Sequence, residues 1–169
     1  MEDGVSEPAI AAFPLRAGRI DDQHKALGMA VSLLMNDQNF GRVPFGHWSR
    51  ILAGQIRRNH YLFIVDAKEP VGFLGWALTT EPHAERWLNG DGELSFENSQ
   101  SGDCLLINAW LAKSDAVNRF ILDQIRTVGK DQKMVYAKRF YAGGRVRKVK
   151  LPVNAFVPRH IEKLTAAIR

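Results

Sequence analysis

The sequence predicts one domain that mixes helices and strands. Three observations point there. Its 169 residues are enough for one hydrophobic core and short for two. Its composition, 46% hydrophobic and 24% charged, is that of a folded globular chain and excludes collagen, a disordered tail and a coiled coil. Apolar residues recur with helical period in some windows and as short runs in others, in the order α-α-β-β-α-β-α-β-β-α, an α/β or α+β arrangement.

Each element has a local reason. Residues 1–20 mix Ala, Pro and Gly without a period and read as a flexible arm, leaving 21–169 as the single domain. Asp21-Asp22 offers an N-cap, and Ala26, Leu27, Ala30, Leu33 and Leu34 follow at helical spacing to about Asn36-Asp37. Pro44 suits the first turn of a second helix, with Trp48, Ile51, Leu52 and Ile56 inward and Arg50, Arg57 and Arg58 outward. Tyr61–Val65 and Val71–Leu78 flank a turn at 66–70 and read as a β-hairpin. Gly72 and Gly75 mark a bulge or a close backbone approach. Glu81–Leu88 reads as a short helix and Asn89–Gly102, polar and Gly-bearing, as a loop. Cys104–Leu111 is a strand, and Asp115 caps a helix with Val117, Phe120, Ile121 and Ile125 inward, closed by Gly129. A strand runs from Met134 to about Tyr141, Ala142-Gly-Gly144 turns, and Arg145–Leu151 alternates basic and apolar residues like a half-buried strand. A last helix starts near Pro158.

The net charge of +5 is unevenly placed. Residues 1–131 hold 13 Lys+Arg against 17 Asp+Glu, a net of −4; residues 132–169 hold 10 against 1, a net of +9. A basic module on an acidic body points to an acidic partner. One cysteine cannot form an internal disulfide, no apolar run reaches the ~18 residues that span a bilayer, and the acidic start Met1-Glu-Asp-Gly lacks an apolar signal core. The expectation is a cytoplasmic protein without a transmembrane segment.

The motifs exclude more than they assign. His24, His47, His60, His83 and His160 show no metal-ligand spacing, and HExxH, CxxC, GxSxG, P-loop and GxGxxG patterns are absent, so no metal or bound cofactor is expected. His47 stands out among Phe40, Phe45 and Trp48. Cys104 opens an apolar strand and reads as a buried structural thiol. Lys138, Arg139, Arg145, Arg147, Lys148 and Lys150 form either a solvated strand face or a docking surface for an acidic partner. No RNP, KH or helix-turn-helix pattern supports nucleic acid.

Four stretches together resemble one family. Leu27-Gly28 through Val43-Pro44 is similar to the LGxxxxLxxxSPxHRxxP opening of the RTX toxin-activating lysine acyltransferases. The hairpin from Tyr61 through Pro70-Val-Gly to Gly75-Trp-Ala77 resembles their YxLxxxxxxPVAxxSWA, Ser101–Ile107 their SGDRxWxID, and Val146–Val149 their VGKV strand. The likeness implies a GNAT-like acyltransferase fold with a mostly antiparallel central sheet flanked by helices. It implies a fatty acyl donor, the phosphopantetheine thioester of acyl carrier protein, and an acceptor lysine on a protoxin-like protein or peptide. It also implies a possible homodimer. Acyl carrier protein is small and acidic, which suits the +9 module.

The family's site residues do not carry over. Its His falls on Phe40, its Ser on Asp37 and its Arg on Gly41; with Ile107 set on the family's Ile, its Asp falls on Asn108. A lysine must lose a proton to attack a thioester, which neither Phe nor Asn can accept. One reading is a rebuilt site with His47 or Asp37 as base; the alternative is an inactive module that binds acyl carrier or peptide on the same fold. A GNAT enzyme using acetyl-CoA is a third, which the spacing of Arg139–Gly144 does not match.

Overall fold

The computed structural model describes residues 14–153 except 68 and 142. Six strands form one mixed sheet: β1 (Arg16–Gly18), β2 (Tyr61–Asp66), β3 (Glu69–Thr79), β4 (Cys104–Ala112), β5 (Met134–Phe140) and β6 (Val146–Pro152), lying in that order across the sheet. Every neighbour pair is antiparallel except β4 with β5, which is parallel. The parallel pair needs a crossover. α4 (Asp115–Gly129) supplies it, packing its Val117, Ile121 and Ile125 on Leu74, Trp76, Leu105 and Ile107.

The opposite face carries α1 (Gln23–Leu34), α2 (Phe45–Arg57) and α3 (Glu81–Asn89). α1 and α2 cover Tyr61, Phe63, Phe73, Ala109 and Leu111, and α3 covers Ala77, Cys104, Leu106 and Tyr136. The α/β class, the mostly antiparallel sheet and the order of elements from α1 through β6 are as expected. The helix expected from Pro158 lies outside the described residues.

Three local details differ. Arg16–Gly18, read within the N-terminal arm, pairs with Val65–Phe63 as the first strand; three residues are too few to show a period. The cap of α4 is Ser114, whose Oγ accepts from the Val117 N–H at 3.3 Å; Asp115 is the first helical residue. β6 is not half-buried: six of its seven residues are exposed, because it is the sheet's edge and no described helix covers it. Its charges discourage a further strand from adding there.

Cys104 is buried as expected, and burial followed by the Asp103 carboxylate pushes its thiol up to about 11. His60 stacks on Trp76 with ring centroids 5.8 Å apart. Burial, then the Arg58 and Arg19 cations, lower its pKa to about 4. Between that value and the ordinary 6.5 the unfolded chain binds a proton that the folded chain does not. Stability from this group is therefore complete above about pH 6.5 and lost as pH falls toward 4. His60→Phe keeps the stacking and removes the titration. Denaturant melts at pH 7 and 4.5 are expected to show a loss smaller by about 2 kcal/mol in the variant, discounted for partial exposure.

Candidate active site between the fourth and fifth strands

The sheet opens where its one parallel pair stops. β4 and β5 pair only from Cys104 with Met134 to Ile107 with Ala137. Beyond that, β4 continues to Ala112 bonded to β3, and β5 continues to Phe140 bonded to β6. The facing edges are left with unpaired backbone groups, and a cavity of about 410 Å³ fills the gap. Ile107–Trp110 of β4 and Ala137, Lys138 and Phe140 of β5 form two walls. Asn39, Phe40, Arg42 and Val43 of the α1–α2 loop, His47, Trp48 and Ile51 of α2, Trp87 of α3 and Gly144 complete it.

Asn108 sits at the mouth of the gap for a definite reason. Gly75 pairs with Ala109 and Trp76 with Ile107, so Asn108 is an extra residue, a β-bulge. The bulge switches which side chains face α4: Leu105 and Ile107 before it, Trp110 and Ala112 after it. Asn108 Oδ1 accepts a hydrogen bond from Nε2 of the fully buried Gln55 at 2.5 Å, which leaves the Asn108 Nδ2 hydrogens as donors. Gln55 fits only because position 75 has no side chain: a Cβ there would overlap the Gln55 carboxamide, 2.3–2.5 Å from its atoms. The close approach expected at Gly75 is this one, and the bulge lies beside it.

His47 lies half-buried on the cavity wall, its Nδ1 3.0 Å from Glu93 Oε1. With Nδ1–H donating to that carboxylate, Nε2 carries the lone pair, the arrangement of an oriented proton acceptor. Phe40 lines the same cavity and packs edge-on against Trp48 at 6.4 Å. Asp37 is not among the lining residues. Its Oδ1 accepts from the Asn39 and Phe40 N–H groups at 2.8 and 3.1 Å, tightening the turn that carries Phe40. The structure thus brings Phe40, His47 and Asn108 to one cavity and leaves Asp37 beside it. Gln55 and Glu93 were missed from sequence. Gln55 breaks an otherwise apolar helix face, which is a signal; Glu93 sits in a patternless loop.

A second cavity of about 260 Å³ shares His47, Ile51 and Asn108 with the first and is otherwise lined by Arg50, Gly54, Arg58, Glu93, Leu94, Phe96 and Ser99. The basic strand pair divides in two. Lys138 is half-buried with Nζ 4.3 Å from the Trp87 ring centre, and burial, then Lys148, lower its pKa. Lys148 donates to Asn89 Oδ1 at 2.9 Å, and Lys150 bridges Glu85 and Glu81; the Glu85 carboxylate, then the Tyr136 hydroxyl, raise the Lys150 pKa. Arg139 and Arg145 flank the Tyr141 ring at 5.1 and 4.4 Å, and Arg139 lies opposite Arg147. None of these three arginines has a carboxylate partner among the described residues.

Residues 20–152 match the RTX toxin acyltransferase family. The chain belongs to that family. Membership places this RTX toxin acyltransferase-family chain among acyltransferases, and the gap between β4 and β5 is its open, lined cleft. The loading GNATL domain of CurA from Lyngbya majuscula is similar in fold. The likeness has a TM-score of 0.50 and 14% identity over 78% of this chain and 70% of that one. A search of curated proteins finds no match. No helix among the described residues is long and apolar enough to cross a membrane, and none of their His, Cys, Asp and Glu groups is arranged to hold a metal ion. Counted without a gap from Ser101, the family's Asp would fall on Ala109 rather than Asn108. Both line the cleft and neither carries a carboxylate.

Proposed function

We propose that this chain moves a fatty acyl group from acyl carrier protein to a lysine amine of an RTX-type protein. The observation that carries this reading is the cleft itself: an apolar-walled gap with open backbone edges, ending at a bulged Asn108. A phosphopantetheine arm is a chain of amides ending in a thioester. Its amides suit unpaired strand edges, and its acyl tail suits Trp48, Trp87, Trp110 and Phe140. In the reaction a neutral lysine nitrogen attacks the thioester carbon. The oxyanion that forms takes a hydrogen bond from Asn108 Nδ2, the amine proton passes to His47 Nε2, and the C–S bond breaks as the thiol leaves with a proton. Glu93 orients His47 through the contact to Nδ1.

A second reading is supported by one observation. Phe40 packs on Trp48 at the family's His position, as it would in a module that binds acyl carrier or peptide without chemistry. Incubation with carrier loaded with several chain lengths, together with lysine peptides, separates the two by intact mass. Acyl-lysine product is expected; carrier binding without transfer from any donor supports the binding module instead.

The carrier would dock on Arg139, Arg145 and Arg147. Reversing all three to Glu is expected to weaken carrier binding at least tenfold at low salt, with the difference shrinking as salt rises. Lys150→Glu is expected to act mainly on stability, since it sets like charges against Glu81 and Glu85. Titration of carrier by fluorescence anisotropy, with thermal melts of each variant, checks both.

A further inference from the structure

The second cavity contains a cation without an obvious partner. Arg58, expected from sequence to face outward, is half-buried at the end of α2 and folds back along the helix. Gly54 makes the room: a Cβ there would lie 2.9 Å from Arg58 Nη1. The Phe96 ring holds the guanidinium from another side at 5.3 Å. Arg58 Nε is buried and makes no hydrogen bond, and neither Arg58 nor Arg50 forms an ion pair among the described residues. Glu93, the carboxylate in this cavity, is engaged by His47 and largely exposed. Half-burying a guanidinium costs free energy that an anion recovers, and its planar fork fits a carboxylate or a phosphate.

We infer that this cavity is an oxyanion site, in which Arg58 and Arg50 hold a carboxylate or phosphate carried by the acceptor next to its reacting lysine. The placement follows from the shared wall. His47, Ile51 and Asn108 border both cavities, so a chain with its anion on Arg58 brings a neighbouring amine to Asn108. The assignment to the acceptor rests on the acyl-transfer reading; the anion site does not.

Three peptides test it by calorimetry, with no acyl donor present: acetyl-Lys-Glu-amide, acetyl-Lys-phosphoSer-amide and acetyl-Lys-Gln-amide. At least one of the first two is expected to bind tenfold or more tightly than the third, and which of them does so identifies the oxyanion. Arg58→Gln and Arg50→Gln are expected to erase the preference. Gly54→Ala should also weaken it by displacing the guanidinium, while the melting temperature stays level or rises because Ala favours a helix over Gly. That separates a binding effect from a folding one. Equal binding of all three peptides, or a preference that survives in the variants, overturns the inference. A protein with the preference but without acyl transfer keeps the site and loses only the enzyme reading.

Discussion

His47→Ala is expected to lower acyl-lysine formation by about 10²–10⁴ relative to the natural chain, the range that a positioned general base contributes, and Phe40→His added to it is expected to recover part of that loss. Phe40 already lines the cleft, and the Phe40 N–H is tied to Asp37 Oδ1, so the turn does not depend on the aromatic ring. An imidazole there has access to the lysine proton. Asn108→Asp is expected to slow the reaction, because it keeps the hydrogen bond from Gln55 Nε2 but exchanges the Nδ2 donor for an anionic acceptor oxygen. Initial rates by mass spectrometry with loaded carrier and a lysine peptide measure this. A His47→Ala variant that folds yet is as fast as the natural chain contradicts the role given to His47.

Gly102→Ala is expected to cost about 3–5 kcal/mol and to lower the melting temperature by on the order of 10 °C. Gly102 has φ of +152°, and a Cβ there would overlap the backbone carbonyl of Thr79. Backbone at the end of a central strand cannot move aside as a flexible side chain can. Gly90→Ala is the control. Its φ is +82° but nothing lies within 4 Å of a new Cβ, so only the backbone penalty of about 1–2 kcal/mol remains. Equal losses in the two variants would show that crowding against Thr79 does not matter.

Sequence patterns reveal what is decided locally. α1, α2 and α4 follow from apolar spacing, and Asp22 does cap α1 through hydrogen bonds from the His24 and Lys25 N–H groups. The strands β2 to β5 follow from apolar runs. What pairing across the sheet decides is not legible. Nothing in Cys104–Ala112 shows that its bonding to β5 ends at Ile107, yet that end creates the cleft. Nothing local separates Lys148 and Lys150, which are engaged by α3, from Arg145 and Arg147, which are not. The Ser101-Gly-Asp103 stretch is recognisable as a pattern, but the need for Gly102 appears only when Thr79 is folded against it. Gln55 is the instructive middle case. A polar residue among Leu52, Ile56 and Trp48 marks something unusual, and only Gly75 and Asn108 explain it.

The acyl arm of the donor is expected to lie between β4 and β5. Carrier protein loaded with a diazirine-bearing acyl chain, irradiated with the full chain and mapped by peptide sequencing, tests this most directly. Cross-links are expected on Ile107–Trp110, on Ala137–Phe140 and on the 39–51 segment that roofs the cleft. Cross-links confined to the α4 face of the sheet or to β6, with none in those three segments, would contradict it.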